Sequence, residues 1–79
     1  NMIHPDPAVR RDGLRRLAVL AAAAPRLGTS VVTLCTGTRD GDDMWRRHRD
    51  NDTPAAWRDL ISSMRSLLEA TAESGVTLA

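Results

Sequence analysis

The sequence predicts an α/β fold in αβαβ order with parallel strands. Three observations carry that expectation. Two stretches repeat apolar residues at spacings of three and four, and each begins with a capping residue followed by Pro, at Asp6-Pro7 and Thr53-Pro54. Between them, SVVTLC at residues 30–35 is apolar and β-branched on both alternations, as a strand buried on both faces would be. Each helical stretch then reaches a Gly before a Val-Thr-Leu run, which makes a weak repeat of αβ units.

The first helix starts at Pro7, because Asp6 caps free N–H groups and Pro suits the first helical position. Leu14, Leu17, Ala18, Ala21 and Ala24 form its apolar stripe. Asp12 and Arg16 stand opposite, spaced for an i,i+4 pair. Pro25 ends or kinks this helix near Ala24, and Gly28 supplies a left-handed stop. Gly28 before and Gly37 after favour a strand for residues 30–35 over a short buried helix. The second helix covers residues 54–73, with Trp57, Leu60, Ile61, Met64, Leu67, Leu68 and Ala72 on its stripe. Gly75 ends it, and VTLA at 76–79 begins another strand.

Alternating helices and buried strands imply right-handed parallel crossovers. A buried parallel strand needs neighbours on both sides and cover on both faces. So few elements cannot supply that, so the expectation is one partial domain, residues 1–79, within a larger α/β protein. The bland alternative is a small αβαβ unit that pairs with itself.

Composition narrows the function classes. Eleven basic residues, all Arg, face ten acidic ones, for a net charge of +1. That balance gives no global argument for nucleic acid or a membrane surface. The one cysteine, Cys35, cannot form an internal disulfide, and no run is long enough to span a bilayer. NMIHPDP has no signal-peptide pattern, so a cytoplasmic location is expected.

The chemistry gathers after the first strand. Strand-to-helix loops in α/β proteins sit at the carboxyl ends of the strands, where ligands bind. Such loops usually hold two to six residues. Residues 36–53 are far longer, and they carry five Asp, four Arg, a Trp and a His. Gly37 permits a sharp turn or close ligand approach. Thr36 and Thr38 offer hydroxyls, and Arg39 a planar cation for an anion. Trp45 offers an apolar face, and His48 a donor, acceptor or proton carrier. Each residue also has a plain structural use: Thr and Gly turn chains, Arg39 pairs with Asp40 or Asp42, and Trp45 anchors the loop.

These residues also suggest a family. NMIHPD, LG-x-x-VVTLCTGTRD, DMWRRH-x-DN-x-TP-x-AW and SGVTLA resemble the sugar phosphate isomerase/epimerase family, which are xylose isomerase-like TIM barrels. The resemblance covers nearly the whole chain. CTGTRD and DMW…H…DN are fairly specific, and the helix patterns are not. It implies that NMIH ends the second barrel strand, VVTLC is the third and VTLA opens the fourth. In such a barrel His4 and Thr36 end neighbouring strands on one rim, so a site for a small sugar or sugar phosphate lined by His4, Thr36, Gly37, Thr38, Arg39, Trp45 and His48 is expected, with Trp45 and His48 on one face if the loop forms a helical turn there. The resemblance also implies a divalent metal (Mn, Mg, Co or Zn) held by carboxylates and a His at later strand ends, outside this segment. The expected partners are the rest of the barrel and, in a homo-oligomer, a second copy, with no nucleic acid and no membrane.

The same residues bear on other classes. The related DNA-repair (AP) endonuclease branch places metal-binding histidines at the second and third strand ends. His4 matches the first, but Cys35-Thr36-Gly37 departs from the second. RRHR at 46–49 is offset by Asp42, Asp43, Asp50 and Asp52, which argues against a phosphate-contacting patch. Cys35 as a nucleophile needs a base, for which only His4 and His48 offer themselves. A non-catalytic module docking through its helix stripes is the non-enzyme alternative.

Overall fold

The computed structural model describes all of residues 1–79. Helix α1 spans Pro7–Ala23, strand β1 Val31–Val32, helix α2 Pro54–Thr71 and strand β2 Thr77–Leu78. One 3-10 turn, Ala24–Leu27, follows α1, and another, Arg49–Asp52, precedes α2.

The helix starts form as their sequences dictate. The Asp6 carboxylate accepts the Ala8 N–H at 2.8 Å, and the Thr53 hydroxyl accepts the Ala56 N–H at 3.2 Å. Pro25 has no N–H to continue the α1 ladder, so the chain tightens into the 3-10 turn and leaves through Gly28 at φ 81°. Asp12 takes both Arg15 (2.9 Å) and Arg16 (2.8 Å). The second helix stops at Thr71, two residues before the predicted end. There the Ser74 hydroxyl donates to the Thr71 carbonyl at 2.6 Å, and Gly75 turns the chain at φ 69°.

The two strands pair in parallel, with Val31 beside Thr77 and Val32 beside Leu78. The ladder proper is shorter than the predicted 30–35, but its hydrogen bonds reach further. Thr77 N–H donates to the Ser30 carbonyl (2.8 Å), Ala79 N–H to Val32 (3.0 Å) and Leu34 N–H to Ala79 (2.6 Å). Beyond Leu34 the chain runs on to Gly37, and the Thr36 carbonyl there accepts the Met2 N–H. The run is also buried on one face only. Val32 is buried and Leu34 half-buried, whereas Val31, Thr33 and Cys35 are exposed. The bare face is the one an additional layer or a closed barrel interior would cover.

Residues 1–4 are not a strand, as the sequence led one to expect, but a turn at the carboxyl end of β1. They belong to the core. Met2 is 1% exposed, matched among large side chains only by Leu67, and Ile3 is buried as well. The Met2 N–H donates to the Thr36 carbonyl (3.1 Å), and the Ser63 hydroxyl donates to the Met2 carbonyl (2.7 Å). The buried face of α2 is Ala56, Ser63, Leu67 and Thr71. Trp57 and Leu68, expected on the apolar stripe, are exposed on the other side. No helix is long and apolar enough to cross a membrane.

Candidate functional site

The long loop leaves the carboxyl end of β1 and is tied down at three places. The first tie is Asn1. Its amide nitrogen donates to the Thr38 carbonyl (2.8 Å), and its amide oxygen accepts the N–H groups of Thr38 (3.1 Å) and Ile3 (3.2 Å). This contact requires glycine at 37. Gly37 has φ 91°, and a Cβ there would lie 2.9 Å from the Asn1 Cα and overlap its side-chain amide.

The second tie is Asn51, at the far end of the loop. Its amide oxygen accepts the Arg39 N–H at 2.7 Å and lies 3.1 Å from the Thr38 hydroxyl. That hydroxyl is also 2.7 Å from the Arg46 carbonyl and accepts the Asp40 N–H at 3.2 Å. Thr38 is thus saturated with bonds inside the loop and is only 3% exposed.

The third tie is Asp40. One of its oxygens accepts the N–H groups of Asp42 and Asp43, each at 2.9 Å, and the other pairs with Arg46 at 3.2 Å. The Asp43 and Asp42 amides, helped by the Arg46 charge, hold this carboxyl below its ordinary value of 3.8, against the opposing pull of burial. Asp43 in turn accepts the Trp45 N–H at 2.9 Å.

These ties divide the predicted site residues between two clefts. Thr36, Gly37, Thr38 and Trp45 line one of about 470 Å³, together with Cys35 and Met44. Trp45 is 76% exposed above it. Arg39 and His48 line a second cleft of about 560 Å³ with Pro5, at the start of α2. The helical turn that would put Trp45 and His48 on one face does not form. The chain is extended at His48 (φ −119°, ψ 142°) and begins its 3-10 turn only after it.

His4 borders neither cleft, though it stands near the loop. Its Nε2 lies 4.0 Å from where a Cβ on Gly41 would sit. Both histidines accept a backbone N–H on Nδ1, His4 from Asp6 (3.0 Å) and His48 from Asp50 (3.1 Å). The neutral ring then carries its proton on Nε2 and presents a donor to the outside.

Arg39 pairs with neither loop aspartate. Its guanidinium binds Asp59 on α2 at 2.7 Å and the Ile3 carbonyl at 3.3 Å. Arg10 of α1 shares the same Asp59 oxygen at 3.3 Å. Sequence reasoning did not single out Asn1, Asn51 or Asp59. The DN of the loop pattern was the only visible signal for Asn51, and nothing local marks Asp59 or Asn1, whose partners lie 20 and 37 positions away.

No three His, Cys, Asp or Glu side chains converge so as to hold a metal ion. Cys35, His4 and His48 do not converge with carboxylates, and Asp40, Asp43, Asp50 and Asp52 already face backbone amides or arginines. The residues of this chain do not by themselves fit a divalent metal.

A long loop pinned at the carboxyl end of a parallel strand and leading into a crossover helix matches the ligand-binding face of a barrel. The family model for xylose isomerase-like TIM barrels matches the chain over residues 1–79. The chain belongs to that family. Xylose isomerase-like barrels are generally enzymes, and divalent metals are common among them. No curated protein and no solved structure matches the chain.

Proposed function

We propose that residues 1–79 are part of a (β/α)8 barrel that isomerises or epimerises a small sugar or sugar phosphate, and that they supply one wall of its substrate site. One observation carries this reading. The loop is long, yet it is fixed at the carboxyl end of β1 in a way that leaves Trp45 uncovered beside Thr36 and Cys35. An exposed indole next to hydroxyls suits a sugar ring, which has apolar C–H faces and polar edges.

The roles that follow are binding and orientation. Trp45 covers a ring face, and the Thr36 hydroxyl meets a sugar hydroxyl. The Nε2–H of His48 donates to an oxygen from the neighbouring cleft. Each histidine's Nδ1 already meets a backbone N–H, which leaves Nε2 as the ring atom able to meet a ligand. A divalent metal, where the whole enzyme uses one, takes its ligands from other strands. The bare face of β1 and the exposed Trp57 and Leu68 are surfaces for the rest of the barrel or a second copy. The lone thiol of Cys35 is at home in the reducing cytoplasm.

The DNA-repair alternative finds less support. Arg46 and Arg47 are each paired with a loop aspartate, and Arg49 lies 3.7 Å from Asp50, which offsets the field a phosphate backbone needs. The test uses the complete protein. Trp45→Ala and His48→Ala should lower kcat/KM on a panel of ketoses, aldoses and their phosphates, with bound metal unchanged. Loss of metal would make the loop a ligand donor, and nicking of abasic-site DNA without sugar turnover would establish the alternative.

A further inference from the structure

We infer that Asn51 is a positioning residue that closes residues 38–51 into a preformed wall of the substrate site, so that this loop is not a lid that folds onto the ligand. The role for substrate rests on the sugar-site reading above. The closure itself rests on geometry alone.

Three facts point the same way. First, the Asn51 amide oxygen joins the two ends of the loop, accepting the Arg39 N–H at 2.7 Å beside the Thr38 hydroxyl at 3.1 Å. Second, the interior of the loop is satisfied from within. Asp40 takes the amides of Asp42 and Asp43, Asp43 takes that of Trp45, and the Thr38 hydroxyl reaches the Arg46 carbonyl. Third, no buried side-chain polar atom is left without a partner for a ligand to supply. A lid that orders on binding keeps groups in reserve for that event, whereas this loop has already spent them. The entropy of ordering the backbone that carries Trp45 is therefore met during folding, which lowers the cost of binding.

Asn51 acts through the loop and need not touch substrate. Removing its amide should free both ends, and Trp45 would then have to be reordered at each binding event. The expected signature is a KM raised about ten-fold with kcat little changed, as for a lost hydrogen-bonded tie that affects binding alone.

Two measurements on the complete protein test this. Limited trypsin digestion reads loop opening directly, because Arg46, Arg47 and Arg49 are exposed cleavage sites that a closed loop protects. Asn51→Ala should speed cleavage there by about ten-fold or more, and Asn51→Asp, which keeps the acceptor oxygen, should restore most of the protection. Steady-state kinetics on the best sugar should show the KM effect in Asn51→Ala and its rescue in Asn51→Asp.

Unchanged cleavage in Asn51→Ala overturns the proposal. So does faster cleavage with unchanged KM, which would leave Asn51 a clamp without a role at the site. If the wild-type protein turns over no sugar, the sugar reading falls and the digestion alone decides the closure. If Asn51→Ala does not fold, Asn51→Asp carries the test, and cleavage of a folded Asn51→Asp as fast as that of denatured protein overturns the proposal.

Discussion

Asp59 and Arg39 form the bond that fixes the start of the loop to helix α2, at 2.7 Å, and the same carboxylate oxygen also holds Arg10 of α1 at 3.3 Å. One acid thus joins the loop and both helices. Asp59→Ala would leave two mostly covered guanidiniums facing each other without a counter-charge. The expected loss is roughly 1–3 kcal/mol, below the cost of breaking a fully buried pair because Asp59 keeps some water contact. Urea denaturation of the complete protein checks it, and a change within error would reduce the triad to a surface ornament.

Gly37 and Gly28 both have positive φ but differ in surroundings. A Cβ at Gly28 meets nothing within 4 Å, whereas one at Gly37 runs into Asn1. Gly28→Ala should cost about 1 kcal/mol, the backbone penalty alone. Gly37→Ala should cost at least about 1 kcal/mol more, because the clash adds to it. Equal values from matched melts would show that Asn1 moves aside freely.

Asp40 makes the loop sensitive to acid. Its carboxyl titrates lower in the folded loop than in the unfolded chain, so its stabilising contribution is complete above the ordinary value of 3.8 and fades as pH falls through the lowered folded value. Between neutral pH and about 4 the loop should be indifferent to this group. Emission from Trp45, read in a Trp57→Phe background, should therefore hold steady and shift only below that range. Asp40→Asn keeps an acceptor but no charge, and should remove the acid step. A shift already complete at pH 5 would assign it to another group.

The isolated chain should melt poorly. It has a two-residue ladder, one bare sheet face, and exposed Val31, Trp57 and Leu68. Ordering each residue costs about 1–2 kcal/mol of backbone entropy, and this core is small. Purified residues 1–79 should unfold with low cooperativity or self-associate. A sharp, concentration-independent melt of a monomer would show that the unit stands alone.

Much of the fold was legible because its signals are local. Asp6-Pro7 and Thr53-Pro54 cap by bonding residues two or three away, and Pro25 with Gly28 ends α1 through the missing N–H and a positive φ. The parallel strands followed from residue type. The family resemblance implied a strand end at residues 1–4, whereas they form a turn in which Met2 and Ile3 are buried and the Met2 carbonyl accepts the Ser63 hydroxyl. The apolar stripe of α2 misled similarly. A Trp at helical spacing reads as core, yet Trp57 is exposed and Ala56 takes the inner place.

The site was legible as a place and not as a set of partners. The length of residues 36–53 and the glycine at 37 marked the loop. Nothing in the order of residues shows that Thr38 would be enclosed or that Arg39 would turn to Asp59, since those choices depend on contacts made after the chain has doubled back.

The bond from Asn1 to Thr38 spans 37 positions, across a whole helical crossover. This matters for anyone who would move the loop. Barrel engineering commonly treats each strand-to-helix loop as a cassette, cut at the strand end and at the following helix. A cassette of residues 36–53 would leave behind the amide that braces its first turn and the acid on α2 that holds Arg39. The smallest transplantable unit is therefore discontinuous, consisting of the loop, the first residue of the turn that precedes α1 and one position a turn into the next helix.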